Sequence, residues 1–119
     1  MDFKTPKEDS KYQWTNHAGQ KMAYYGISPS LVKRIVRFPK RKEEGVALKT
    51  TAVMQPTSNK KKPQEVWVMY QEVGANSDSK FSRPKVKVIS AWRYPGISPI
   101  GKKIPIPEEI LQELSGLIE

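Results

Sequence analysis

The chain has no cysteine, a single histidine and no long apolar run. Without cysteine it forms neither disulfides nor thiolate nucleophiles nor Cys-based zinc sites, a composition typical of a reducing cytoplasm. No segment has the roughly twenty apolar residues needed to cross a bilayer, and the charged N-terminus lacks the apolar core of a signal peptide. We therefore expect a cytoplasmic protein without a membrane partner.

Motifs of several enzyme classes are also missing. There is no Gly-rich phosphate loop, no G-x-S-x-G turn, no H-E-x-x-H and no Cys/His cluster. One histidine with scattered carboxylates does not make a transition-metal site. The acidic pairs Glu43-Glu44 and Glu108-Glu109 are adjacent, and neighbouring side chains point apart in helices and strands. We expect no metal and no cofactor, which leaves the chemistry of cations, one imidazole and phenols.

Positive charge is concentrated in the body of the chain. Residues 1–106 contain all 21 Lys and Arg but only eight of the 12 acids, a net charge of +13. The other four acids lie in the last segment. A basic body favours a polyanionic partner, the alternative being that the charge serves only solubility.

The length of 119 residues predicts one domain. Residues 1–11 are polar and aperiodic, as in a flexible arm, and residues 12–119 form the domain. Helix start and stop signals predict one helix from Asn16 to Gly26 and another from Ser28-Pro29 to Pro39. Alternating apolar residues predict strands over 46–55 and 85–93, and residues 12–15 are a short strand or an extended lead-in. A further strand over 65–73 is apolar on both faces in its middle, as expected of a central strand.

No helical segment separates the three long strands, so we expect an antiparallel meander. The predicted fold is α+β, with two N-terminal helices packed on a three- to four-stranded antiparallel sheet, plus a C-terminal helix. After a core of residues 12–94, the Pro-rich extension 95–119 is expected to be held down by Ile97, Ile100, Ile104 and Ile106. The amphipathic, acidic helix over 107–118 either closes the core or binds another protein.

The first helix carries two stripes. Ala18, Met22 and Tyr25 recur at helical spacing and are predicted to be buried. One position earlier, His17, Lys21 and Tyr24 form a hydrogen-bonding stripe at the rim of that face. The alternative for the histidine is that it only caps or packs.

The second helix combines an apolar stripe of Leu31, Ile35 and Phe38 with a dense cationic cluster. An ordinary solvated helix face usually alternates signs, and this one does not, although a solvated face remains the alternative. The cluster is a candidate nucleic-acid-binding surface, continued by Lys49 on the next strand. Its members are Lys33, Arg34, Arg37, Lys40, Arg41 and Lys42.

RNA cleavage without a metal requires only the side-chain types that are present. When the 2′-hydroxyl attacks the phosphate, the protein must move two protons and stabilise the developing charge. His17 is the candidate acid or base near neutral pH. Lys21 and Arg93 are candidates to neutralise the phosphate, with Tyr24 or Tyr94 as a secondary proton donor.

The run H-A-G-Q-K-M-A-Y-Y-G-I-S-P-S-L-V-K-R-I-V-R-F-P, from His17 to Pro39, resembles the signature of an uncharacterised bacterial domain family. That family is similar to the RelE and BrnT toxins, in the barnase, colicin and RelE group of small ribonucleases. The resemblance implies a RelE-like fold and a metal-independent endoribonuclease with His17 as the family histidine. Lys21-Met22 stands where an Arg-Met pair is usual, and Arg93 where a basic residue often ends the last strand. An acidic antitoxin-like protein is the implied partner.

Two functions without catalysis remain open. A module that binds RNA or single-stranded nucleic acid would grip phosphates with the cluster and with Lys60, Lys61 and Lys62, and would stack bases on Trp14, Trp67 or Trp92. A protein-interaction module would instead use the C-terminal helix.

Overall fold

Eight elements follow one another in the computed structural model, which describes residues 5–47, 49–74 and 84–118. Together they make an α+β domain of three helices and a five-stranded sheet. In chain order they are β1 (Tyr12–Trp14), α1 (Asn16–Tyr25), α2 (Pro29–Arg37), β2 (Arg41–Glu44), β3 (Thr51–Pro56), β4 (Gln64–Val73), β5 (Lys85–Pro95) and α3 (Glu108–Ile118).

The sheet has the strand order β1-β5-β4-β3-β2. Strands β2 to β5 pair antiparallel, whereas β1 pairs parallel with residues 86–88 of β5, so the sheet is mixed. The α+β class is confirmed, and the prediction of three to four antiparallel strands is matched only in part, since four strands are antiparallel and β1 adds a fifth, parallel one. A three-residue strand carries no local sign of its distant partner, and the charged residues of β2 lack the apolar alternation that marks a strand.

Strand β3 begins at Thr51, five residues later than the predicted start at Val46. Residues 45–47, 49 and 50 instead lie in a turn between β2 and β3, in which the Gly45 amide donates to the Thr50 carbonyl at 2.9 Å. The Thr50 hydroxyl donates to the Ala47 carbonyl at 2.6 Å and accepts from the Ala47 amide at 3.2 Å. The Thr50 side chain thus satisfies backbone groups that would otherwise bond to a neighbouring strand. The alternating pattern does not reveal this, so it predicted too long a strand.

Apolar residues cover both faces of the sheet. The face under α2 carries a cluster that includes Val53, Val66, Val68, Val88 and Ala91, with Val32 and Ile35 from α2. The opposite face, under α3, carries Met54, Trp67, Met69 and Trp92, with Ile110 and Leu114 from α3. Strand β4 contributes to both clusters, which confirms that it is a central strand buried on both faces.

Helix α3 closes the core, since Ile110 is fully buried and Leu114 nearly so. In the extension before it, Ile104 is buried and Ile106 half-buried, as expected. Ile97 and Ile100 are exposed, so this part of the prediction is wrong. Ser98, between them, holds the segment instead through polar contacts. No helix among the described residues is long and apolar enough to cross a membrane.

The helix boundaries follow their capping residues closely. Gly26, at φ 66°, ends α1 in the left-handed conformation, and Ser28 caps α2 with Pro29 in its first turn, as predicted. The N-cap of α1 is Thr15 rather than Asn16, because the Thr15 hydroxyl accepts from the Ala18 amide at 2.9 Å. Threonine and asparagine are both common N-caps, so the sequence alone does not show which of these two adjacent residues caps the helix.

Residues 5–11, within the segment interpreted as an arm, contact the domain. The Asp9 carboxylate accepts from the amides of Lys11 and Tyr12 at 2.8 and 2.7 Å, and from the Lys33 ammonium at 3.0 Å. These donors, the Lys11 amide most strongly, lower the pKa of Asp9 to about 2. Glu8 accepts from Lys85 at 2.7 Å.

Phe38 is the C-cap of α2, with φ −131° and ψ 63°, and leaves the helical path. Its side chain is therefore 65% exposed, although the stripe predicted it to be buried with Ile35. The two residues allow a matched test of burial. Ile35→Ala should lower the free energy of unfolding by about 2–5 kcal/mol, because the truncation leaves a cavity. Phe38→Ala should change it by less than about 0.5 kcal/mol, as at other surface positions.

Urea unfolding of both variants, followed by circular dichroism, measures the difference. Equal destabilisation by the two truncations would contradict this placement of the α2 C-terminus.

Candidate functional site

Helix α1 lies along the edge of β5 that the short strand β1 leaves uncovered. At its start, the Thr15 amide donates to the Val88 carbonyl at 3.2 Å and the Thr15 hydroxyl to the Ile89 carbonyl at 3.1 Å. At its end, the Arg93 guanidinium donates to the carbonyls of Tyr25 and Gly26 at 2.6 and 3.1 Å. A ten-residue helix is roughly 15 Å long, and the five residues of β5 between these contacts span roughly 16 Å. The helix therefore fits between its two attachments to β5.

The His17 ring is held at both nitrogens. Its Nδ1 lies 3.0 Å from Oε2 of Glu113 on α3, and its Nε2 lies 3.0 Å from Oγ of Ser90 on β5. Burial lowers the pKa of His17, opposed by the Glu113 carboxylate and reinforced by Lys21. The neutral ring is thus favoured near pH 7. Because a carboxylate only accepts, Nδ1 carries the proton and Nε2 accepts from the Ser90 hydroxyl.

Glu113 joins His17 to Lys21. Its other oxygen, Oε1, accepts from the Lys21 ammonium at 2.8 Å. This hydrogen bond is the main reason why the pKa of Glu113 is lowered, with the charge of Lys21 and the contact with His17 adding to it. The carboxylate is still 42% exposed at the surface, so water screens the pair.

A cleft of about 740 Å³ opens beside this cluster. Amides, an ammonium group and apolar side chains border it, which is the mixture found in binding clefts. The residues that line it are Thr15, Asn16, His17, Gln20, Gln71, Lys87, Ile89, Glu113 and Leu114.

The structure brings together only two of the five predicted catalytic residues, His17 and Lys21. Tyr24 projects into solvent and is 73% exposed, with its ring 5.9 Å from the Lys21 ammonium. Arg93 binds the far end of α1, and Tyr94 packs against the core under α3. Both lie away from the residues that line the His17 cleft.

Ser90 and Glu113, which the sequence did not single out, complete a Ser-His-Glu chain. Such chains activate serine nucleophiles in hydrolases. Here Ser90 is fully buried, so a substrate has no access to its hydroxyl and the chain holds the ring in place. A serine between Ile89 and Ala91 in a buried strand was the available signal, since a buried hydroxyl needs a partner.

The predicted cationic cluster divides into two groups. Lys33 pairs with Asp9 and lies 5.2 Å over the Tyr12 ring, and Arg41 binds Ser98 at 2.7 Å and stacks on Trp67 at 5.3 Å. These two cations stabilise the fold. Four others are exposed, and in the described part of the chain no acidic side chain pairs with them: Arg34, Arg37, Lys40 and Lys42.

Those four cations are all within four positions of the exposed Phe38 in the chain, and we call the five residues together the Phe38 surface. The Gln55 amide ties it to the sheet, donating to the Phe38 carbonyl at 2.7 Å, while Arg34 donates to Gln55 at 3.3 Å. Lys49 is also exposed but lies in the turn between β2 and β3, at the other end of β3 from the β3–β4 hairpin.

A groove of about 410 Å³ adjoins the Phe38 surface. Arg34 and Arg93 line it together with the hydroxyl residues Thr57 and Ser58 at the start of the β3–β4 hairpin. The same hairpin continues with the exposed Lys60, Lys61 and Lys62. The other residues that line the groove are Leu31, Gln55, Pro56 and Val66.

Two of the three tryptophans predicted as stacking residues are unavailable. Trp67 and Trp92 are fully buried under α3, where their rings stack at 6.1 Å, and Trp14 is half-buried. Phe38 is instead the exposed aromatic residue near the exposed cations. Among the described residues, no group of three His, Asp or Glu side chains could hold a metal ion.

Comparison with known proteins identifies no relative. No family model matches the chain, and neither the curated proteins nor the solved structures contain a match. The function has to be inferred from the geometry of the chain itself.

The environment of His17 predicts how its pKa responds to substitution. The imidazole should titrate below the ordinary value of 6.5, because burial disfavours the charged ring. Glu113→Gln should lower the pKa of His17 further by removing the opposing carboxylate, and Lys21→Gln should raise it by removing a like charge. NMR of the imidazole nitrogens over a pH series measures the pKa of His17 in the wild type and in both variants.

A folded pKa below the unfolded one means that the unfolded chain binds more protons in the interval between the two values, so stability falls as pH drops through that interval. His17→Gln should remove this part of the pH dependence. A wild-type imidazole that titrates at or above 6.5 would contradict the prediction.

Proposed function

We propose that this chain binds single-stranded RNA through the Phe38 surface and the adjoining groove. The observation that carries the proposal is a large aromatic ring, 65% exposed, with four exposed cations within four positions of it in the chain. An exposed phenylalanine costs solvation free energy and serves no packing role here. Bases stack on such rings while neighbouring cations contact the backbone phosphates, which is the arrangement of single-strand binding sites.

The groove supplies a path for the backbone. Arg34 on its wall uses only Nε on Gln55, so its two terminal nitrogens can bind phosphate oxygens, and the hydroxyls of Thr57 and Ser58 can donate to them. Arg93, whose guanidinium holds the carbonyls of Tyr25 and Gly26, adds positive charge to the groove. Lys60, Lys61 and Lys62 extend the positive charge beyond the groove. Phosphates and bases of one strand are thereby both accommodated.

RNA is favoured over DNA by the resemblance of residues 17–39 to the RelE and BrnT group, which supports a ribonuclease-related, cytoplasmic protein. An acidic antitoxin-like protein, implied by the same resemblance, would compete with RNA for the same cations. Cleavage is a second candidate function, favoured by one observation: His17, which lines the cleft of about 740 Å³, shares the Glu113 carboxylate with Lys21.

Binding without cleavage agrees better with the geometry. Both nitrogens of His17 are already engaged, by Ser90 and by Glu113, so neither is free for a proton of the substrate. The Lys21 ammonium is neutralised by the same carboxylate. Arg93 and Tyr94, the other candidates for the reaction, lie elsewhere.

The stacking role of Phe38 predicts a loss of affinity on truncation. Phe38→Ala should weaken binding to a single-stranded RNA oligonucleotide by about 5- to 150-fold, the range expected for one base stacked on an aromatic ring. Arg34→Gln and Arg37→Gln should each remove one phosphate contact, which reduces the magnitude of the slope of log affinity against log salt by about 1. Fluorescence anisotropy over a salt series measures both effects.

The chain offers matched controls away from the residues that line the groove. Tyr24→Ala removes an equally exposed ring beside a lysine, and Lys87→Gln removes a cation at the His17 cleft. Neither should change the affinity by more than about twofold. Loss of binding with Tyr24→Ala but not with Phe38→Ala would move the RNA site to the His17 side and refute the proposal. A single-stranded DNA of the same sequence tests the preference for RNA.

Cleavage is tested separately from binding. Incubated with RNA in EDTA, the wild-type protein should leave the strand intact, as should His17→Ala, because the ring has no free nitrogen. Gel analysis of end-labelled RNA reads this directly. Cleavage by the wild type that disappears in His17→Ala would establish the second candidate instead.

A further inference from the structure

Residues 96–103, which we call the isoleucine tip, project two large aliphatic side chains into solvent. Ile97 is 79% exposed and Ile100 is 88% exposed. Scattered exposed aliphatic residues are common, but two within four residues on one loop form a local apolar projection.

A buried polar network holds this loop firmly. The Glu65 carboxylate, 2% exposed, accepts from the Ser98 amide at 3.1 Å, from the Ser98 hydroxyl at 2.6 Å and from the Trp67 indole at 3.1 Å. Arg41 donates to the Ser98 hydroxyl at 2.7 Å and to the Pro99 carbonyl at 3.2 Å. A buried carboxylate is expensive unless it is hydrogen-bonded, and both oxygens of this one accept hydrogen bonds. The position of the two isoleucines is thus determined by specific contacts.

Lysines border the tip on two sides. Lys102 and Lys103 follow Ile100 directly and are exposed. The Gly96 amide donates to the Pro63 carbonyl at 2.7 Å, which brings the end of the β3–β4 hairpin, with its three exposed lysines at 60–62, beside the tip. The apolar projection therefore stands among five cations at one end of the sheet.

Binding to RNA does not account for the isoleucines. An aliphatic side chain has no π face on which a base could stack and no group that could bind a phosphate. A protein partner accounts for them less well than a lipid surface, because lysine is depleted from protein interfaces, where arginine and aromatic residues are enriched. Aliphatic side chains next to several lysines are typical of surfaces that bind anionic bilayers.

We propose that the isoleucine tip docks on an anionic lipid surface, with Ile97 and Ile100 entering the headgroup region and the five lysines facing lipid phosphates and carboxylates. This contact differs from the sequence expectation of no membrane partner, which rested on the lack of a spanning segment. A peripheral contact needs no such segment. The proposal shares the three hairpin lysines with RNA binding but does not depend on Phe38 or on the groove.

Vesicle co-sedimentation of the full chain tests the proposal. The wild type should bind phosphatidylcholine vesicles that contain phosphatidylserine, and should bind vesicles of phosphatidylcholine alone much more weakly. Ile97→Ser and Ile100→Ser should each lower the partition coefficient by about tenfold, since each removes the burial of one large aliphatic side chain. Lys102→Gln combined with Lys103→Gln should lower it by a similar factor.

Two controls separate this outcome from others. Val46→Ser alters an exposed aliphatic residue in the turn at the opposite end of β3 and should leave vesicle binding unchanged. Phe38→Ala should reduce RNA affinity but not vesicle binding, so failure of either proposal is distinguishable from failure of the other. Thermal melts of the serine variants check that the fold is retained.

Two results would overturn the proposal. If anionic vesicles bind equally well to the wild type and to both serine variants, the attraction is merely that of a basic protein. If the wild type does not bind anionic vesicles at all, the tip has another role, and a protein partner with an apolar pocket becomes the better interpretation.

Discussion

The ten-residue pairing of β4 with β5 positions the His17 cleft and the Arg93 wall of the groove, and its irregularity decides which side chains of β5 face which helix. Met69 pairs with Ser90 and Tyr70 with Val88, so Ile89 has no partner and the ladder shifts by one residue. Side chains alternate along a strand, and an extra residue reverses the alternation beyond it. Val88 and Ala91 therefore share the α2 face, while Trp92 faces α3. Arg93 reaches the groove beside α2 for the same reason.

Without that bulge, Arg93 would point to the α3 face and Trp92 toward α2. The bulge also turns Ser90 toward the first turn of α1, where its hydroxyl meets the His17 ring. The same irregularity thus accounts for the engagement of the histidine and for the second arginine of the groove. Bulges commonly re-aim side chains at functional sites in this way.

Local signals in the sequence were sufficient for elements that depend on their own residues. The left-handed stop at Gly26, the Ser28-Pro29 start of α2 and the two-sided burial of β4 were predicted from composition and period. The features that were missed depend on distant partners. Parallel pairing of β1, the bulge at Ile89 and the contact of His17 with Glu113, 96 positions away, leave no local trace.

For the candidate site the same distinction applies to the cations. Lys33 and Arg41 look no different in the sequence from Arg34 and Arg37. Their roles diverge because Asp9 lies beside Lys33, whereas Trp67 and Ser98 lie beside Arg41. Phe38 belongs to the apolar stripe by spacing, but the helix ends one residue before it. A single change of backbone direction converts a predicted core residue into the centre of an exposed surface.

The two proposed surfaces meet at the β3–β4 hairpin, whose lysines border both the groove and the isoleucine tip. Electrostatic attraction of these lysines does not distinguish a nucleic-acid phosphate from a lipid phosphate, and salt screens both. What separates the two ligands is the uncharged group beside the lysines. A flat aromatic ring offers stacking to a base, and a branched aliphatic chain offers burial to acyl chains. The long-range charge of this end of the molecule would therefore attract any polyanion, and Phe38 or the isoleucines would select which one is held.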